Sequence, residues 1–141
     1  MKNKHAFIVA LLAVLPVSAA TIEILNPTGK SVFQKQASLI GQESIGSFSL
    51  RILNAAQALG EVKFKGDEDG IEMINGFSND TKVISNTEIK AFGWCFSVNR
   101  TVPQTMANET PLTNEAAVVW FYGYAYYKNG GWQPGCVPAW K

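Results

Sequence analysis

The chain has 141 residues, with 12 Lys and Arg against 11 Asp and Glu, a formal net charge of +1, one histidine and two cysteines. No basic stripe runs along it, so nucleic acid and anionic lipid are poor partners. The histidine, His5, falls in a segment read below as a leader, and what remains has no imidazole for a Ser-His or Cys-His base or a His-ligated zinc.

Lys2 and Lys4 precede an apolar run from Ala6 to Val17, broken only by Pro16, and Val17-Ser18-Ala19 supplies small residues for a cut. This is the pattern of a secretory signal peptide, too short for a spanning helix. It predicts a signal peptide over 1–19 and a single domain over 20–141, of about 120 residues. Losing two lysines leaves ten cations against 11 acids, a net of −1. No second apolar stretch is long enough to cross a bilayer. The expected location is therefore periplasmic or secreted, with no membrane contact after the leader is removed. An even pair of cysteines in an oxidising compartment, Cys95 and Cys136, is expected to form a disulfide. The alternative is one buried thiol and one loose thiol near the tail.

In chain order, Thr21–Leu25 alternates and meets the turn sequence Asn26-Pro27-Thr28-Gly29; Ser31–Ile40 then reads as a second strand and hairpin partner. Phe48, Ile52, Ala55, Ala56 and Leu59 recur at helical steps, with Ser47 placed to cap the start and Gly60 to end the helix. Val62–Lys65 and Ile71–Ile74 are short strands around a Gly66–Gly70 turn. Phe77–Lys90 reads as a polar loop with one short strand near Val83-Ile84. Trp94–Val98 and Ala117–Tyr127 carry the strongest strand signal, and the tail from Asn129 to Lys141, rich in Gly and Pro, reads as irregular. One helix among strands predicts an α+β fold: a small β-grasp-like mixed sheet covered by that helix.

The order of a hairpin, "LRILNAAQALG", "IEMINGF", "GWCFSVN" and "PLTNEAAVVWFY" resembles the transcobalamin C-terminal-like domain, an exported β-grasp-like family, over roughly Thr21–Tyr124. Two family glycine turns are altered. Arg100 follows Val98-Asn99, so Asn99 is expected to take the left-handed position, and Thr113-Asn114-Glu115 replaces a Gly-Asp turn with Asn114 as the permissive residue. In cobalamin transporters this domain closes over the ligand after a large helical domain. No such domain precedes it in this sequence, so the resemblance makes a corrinoid a candidate ligand without implying that it binds; no other cofactor and no metal is expected.

Two sites draw attention. On an extended strand Trp120, Tyr122, Tyr124 and Tyr126 share one face, and Val119, Phe121, Gly123, Ala125 and Tyr127 the other. Val119 and Phe121 suit the helix side, which leaves the four larger rings either as a flat platform for a sugar, a corrinoid or a protein, or as a face covered by the tail with Trp132 and Trp140. Pairing the two strong strands antiparallel puts Trp94, Phe96 and Val98 toward the helix and Cys95 away from it. Trp94, Trp120, Tyr122, Tyr124, Tyr126 and Trp132 are thus the candidate binding residues. Asp67-Glu68-Asp69 lacks the ligand spacing of a calcium loop and reads as a solvated turn. No acid–base pair is evident, so no enzyme is expected. The function read from the chain is an exported binding domain whose partner is a small molecule or, alternatively, another exported protein.

Overall fold

The computed structural model describes residues 17–141, so most of the signal peptide expected over 1–19 lies outside the described residues. Strands β1 (Ala19–Leu25) and β2 (Ser31–Ser38) form the expected antiparallel hairpin. Asn26 closes its turn by accepting the amides of Thr28 and Lys30 on its side-chain oxygen.

The helix α1 runs over Ile45–Ala58, starting earlier than the apolar spacing suggests. Ser44 rather than Ser47 is its N-cap: the Ser44 hydroxyl accepts the Ser47 amide at 3.1 Å, and the Ser47 hydroxyl accepts the Ser44 amide at the same distance. At the other end Gly60 takes φ +74° as expected. Its amide reaches Gln57 O and that of Glu61 reaches Ala56 O, the Schellman pattern that satisfies the last carbonyls. The buried stripe is Ile45, Phe48, Ser49, Ile52, Leu53 and Ala56; Ala55 and Leu59 point to solvent.

After the helix, β3 (Phe64–Gly66), β4 (Ile71–Ile74) and β5 (Phe77–Ser78) make a separate antiparallel sheet. The segment expected as a loop with one short strand near Val83-Ile84 has that strand, lengthened to β6 (Asp80–Ser85), and also holds β5 and the start of β7 (Glu88–Val98). Its charged, non-periodic sequence hid the extent of the strands because no face of β6 is buried, and an unburied strand needs no apolar alternation.

β8 (Ala117–Lys128) pairs antiparallel with β7, as expected, with Trp94 opposite Tyr122 and Cys95 opposite Phe121. It also pairs parallel with β1, giving the mixed order β2-β1-β8-β7-β6. β1 covers β8 only from Ala117 to Phe121. The tail takes up the rest of that edge through β9 (Gly131–Trp132) and β10 (Val137–Pro138), so it is more ordered than its composition suggests. Among the described residues the fold is α+β, one helix against a mixed sheet.

One expectation is reversed. The helix-facing side of β8 carries Val118 and Trp120, both buried, rather than Val119 and Phe121. Directly opposed residues in an antiparallel pair share a face. Once Trp94, Phe96 and Val98 turn toward the helix, their partners Tyr122, Trp120 and Val118 must follow. The core gathers Ile22 and Ile24 of β1, Phe48, Ile52 and Leu53 of α1, Ile74 of β4, and Val118 and Trp120. Each such side chain, fully buried, contributes roughly 1.5–3 kcal/mol.

Candidate functional site

The β7–β8 pair sorts the six candidate residues into three environments. Trp120 and Trp94 belong to the core. Trp120 is 1% exposed, and its indole N–H donates to Ser49 Oγ at 2.8 Å. Trp94 donates to Phe77 O at 2.8 Å. Trp120 offers no face to a ligand, so the platform expected on β8 loses its first ring; Trp94, 9% exposed, contributes only a margin to the hollow described below.

Tyr122, Tyr124 and Tyr126 continue along the same face, beyond the end that α1 covers. Tyr122 is held against the small sheet by its hydroxyl, which donates to Ser78 O at 2.7 Å, and by ring contact with Trp94 at 5.6 Å. Tyr124 meets Phe92 at 5.3 Å with the rings tilted, and Tyr126 edge to face at 6.3 Å. These rings stay half-buried. Trp132 lies elsewhere: it pairs with Tyr127 at 5.4 Å on the opposite face and is 58% exposed.

β7 supplies residues that the sequence reading missed. Phe92 opposes Tyr124, Lys90 opposes Tyr126, and Glu88 opposes Lys128. Lys90 Nζ stands 4.1 Å from the centre of the Tyr124 ring, a cation–π contact that lids the strip. The Tyr126 hydroxyl donates to Glu88 Oε2 at 2.9 Å, and Lys128 Nζ lies 3.4 Å from Glu88 Oε1. The alternation of Glu88, Lys90, Phe92 and Trp94 was the available signal. It becomes legible only once β7 is known to begin at Glu88.

The electrostatics follow from these bonds. The Glu88 carboxyl is lowered from its ordinary value, first by the Tyr126 hydrogen bond and then by Lys128. That same bond raises the Tyr126 phenol. Burial, then the Asp80 charge, raises Tyr122. Tyr122 and Tyr126 are therefore held as neutral, hydrogen-bonded phenols at neutral pH, a form suited to stacking. A shallow hollow of about 610 Å³ opens where β6 meets β7, lined in part by Asn79, Asp80, Thr81, Ala91, Gly93 and Ala125. Among the described residues no group of three His, Cys, Asp or Glu is placed to hold a metal ion. The Asp67 carboxylate accepts the amides of Asp69 and Gly70 in its own turn.

The expected disulfide is present. Cys95 and Cys136 are joined with their Cα atoms 6.5 Å apart, within the usual span. Cys95 faces away from the helix, as expected, and the tail crosses that outer face. It therefore covers Phe121 and Gly123 rather than the tyrosine strip. Trp140 packs edge-on against Phe121 at 6.1 Å.

Fold and site together define a small, disulfide-pinned α+β domain with an aromatic strip at one end of its sheet. Residues 49–124 match the model of a family described as a domain of unknown function, DUF4430, and the chain belongs to that family. A solved structure, that of a protein from Ruminococcus gnavus described as a candidate metal-binding protein, is similar at 14% identity over 76% of this chain and 97% of that one, with a TM-score of 0.47. No curated protein matches the chain.

Proposed function

We propose that the protein is an exported, non-enzymatic binding domain that takes a flat, ring-shaped small molecule on the Tyr122–Tyr124–Tyr126 strip. The observation that carries this reading is the run of half-buried rings, completed by Phe92, which among the described residues no helix covers and where the Lys90 side chain lids Tyr124. Ring faces of this kind stack on sugars and on conjugated macrocycles alike. The export reading rests on the lysine-led apolar N-terminus and on the Cys95–Cys136 disulfide, a bond that persists in oxidising compartments. A corrinoid is the candidate suggested by family resemblance.

Calorimetric titration with corrinoids, haem and cell-wall glycans tests the proposal. Binding by one class, weakened about tenfold or more in Tyr124→Ala, is the expected result; a tenfold loss corresponds to about 1.4 kcal/mol. Absence of heat with every class overturns it in favour of a protein partner.

That second reading has its own observation. Every residue of β6 is exposed, Val83 at 68%, and β6 is an edge strand of the main sheet. An unpaired edge accepts a strand of another exported protein. Co-purification that is lost in Val83→Pro, with the tyrosine strip intact, supports it.

A further inference from the structure

We propose that the Cys95–Cys136 disulfide is an exchange site for a dithiol, the class of reagent carried by thiol–disulfide oxidoreductases, and that its reduction releases the C-terminal tail from the sheet. The first observation is access. Both cysteines are partly exposed, and the bond lines a surface groove of about 260 Å³ between Val102, Pro103 and Gln104 of the β7–β8 loop and Gly135 of the tail. Structural disulfides that must resist reduction are sealed in apolar surroundings; this one borders solvent.

The second observation is how little else the tail contributes to the core. No residue from Asn129 to Lys141 is buried. Apart from the disulfide, the tail is held by the two-residue pairings of β9 and β10, by the Asn129, Gln133 and Ala139 amides on Thr87 O, Tyr126 O and Tyr122 O, and by two surface ring contacts, Trp132 on Tyr127 and Trp140 on Phe121 beside Gly29. Freeing it removes none of the side chains packed between α1 and the sheet. What it uncovers is specific: Phe121, now 5% exposed, and the β8 edge beyond Phe121, which β1 does not reach. The disulfide thus guards a strand edge of the kind that pairs with another chain.

The chemistry balances with the dithiol alone. One of its thiolates attacks a sulfur of the pair, the S–S bond breaks, and the departing cysteine takes up a proton. The second thiolate then breaks the mixed disulfide and frees the other cysteine as a thiol. Two electrons pass to Cys95 and Cys136, and the reagent leaves as its own disulfide.

The test treats the folded protein with dithiothreitol in native buffer, traps thiols with an alkylating agent, and follows far-UV circular dichroism and hydrogen exchange. We expect two alkylated cysteines per chain and a rate proportional to reductant concentration. We also expect an unchanged dichroism spectrum and loss of protection confined to the tail and to residues 122–128. Gln104→Trp, which fills the groove rim without touching the core, should slow reduction several-fold. A rate independent of reductant concentration, a spectrum that collapses as thiols appear, or a Gln104→Trp rate equal to that of the parent each overturns the proposal.

Discussion

At the scale of single residues, backbone conformation and close approach make the sharpest demands. Asn99 takes the left-handed conformation expected of it, at φ +49°, and its side chain accepts the Ala117 amide. Arg100 joins it at φ +70°, a conformation that costs a residue with a Cβ about 1 kcal/mol. Arg100→Gly should therefore stabilise the protein by roughly 0.5–1 kcal/mol, read as a higher urea midpoint. In the second altered turn Glu115, not Asn114, is left-handed, at φ +61°. Asn114 instead accepts the Ala19 amide, tying the loop to the first strand. Gly46 is demanding for a different reason: a Cβ there would overlap the Glu68 carbonyl, so Gly46→Ala should destabilise by more than the usual helix gain from alanine. Arg51 forks onto both oxygens of Glu43 at 2.8 Å and also donates to Ser38 O. Its hydrogen bonds, opposed by burial, hold the Glu43 carboxyl below its ordinary 4.5. A lowered folded value means that this stability is full above about pH 5 and is lost as pH falls below the ordinary carboxylate range. Arg51→Ala should cost about 1–2 kcal/mol at pH 7, and the gap in urea midpoints should narrow at pH 3.

At the scale of elements, β8 is one strand with two characters. Its even positions begin in the core at Val118 and Trp120 and end among half-exposed tyrosines, because α1 spans only part of the sheet. Trp120→Ala should cost about 3–5 kcal/mol, since it empties a buried site and leaves the Ser49 hydroxyl without its indole donor. Tyr126→Ala, on the same face but bordering solvent, should cost much less. Equal costs for the two, measured by chemical denaturation, would contradict the placement of the helix. The helix itself was legible from its period and from Gly60. Its true start was not, because Ser44 and Ser47 both satisfy the cap rule and only their reciprocal bonds distinguish them. At the first strand, Ala20 is buried in the core and pairs with Ala37. If the proposed export removes a leader, a cut no later than Ala19 preserves that contact, and the N-terminus of the exported protein, read by mass spectrometry, should begin at or before Ala20.

At the scale of the whole molecule, the disulfide ties two segments separated by 41 residues. Closing a loop of that size is worth about 4 kcal/mol in the chain-entropy model. Replacing both cysteines by serine should lower the melting temperature by about 15 °C while keeping the dichroism spectrum of the folded protein, since the core between α1 and the sheet contains no tail residue. A double variant that fails to fold would make the tail part of the core.

The sequence by itself determined the local features: the helix and its glycine stop, the β1–β2 and β7–β8 pairings, the α+β class and the Cys95–Cys136 partnership. Each is read from period, turn chemistry or, for the disulfide, an even pair of cysteines, which are properties of neighbouring residues or of composition. Tertiary structure alone decided which side of β8 is inside. Alternation divides a strand into two faces without saying which one is buried; cross-strand register with Trp94 and Phe96 settles it, and with it the burial of Trp120. It also decided that Phe92, Lys90 and Glu88 join the tyrosines, and that the tail crosses the opposite face. Those arrangements depend on residues brought together from distant parts of the chain, where no local pattern reaches.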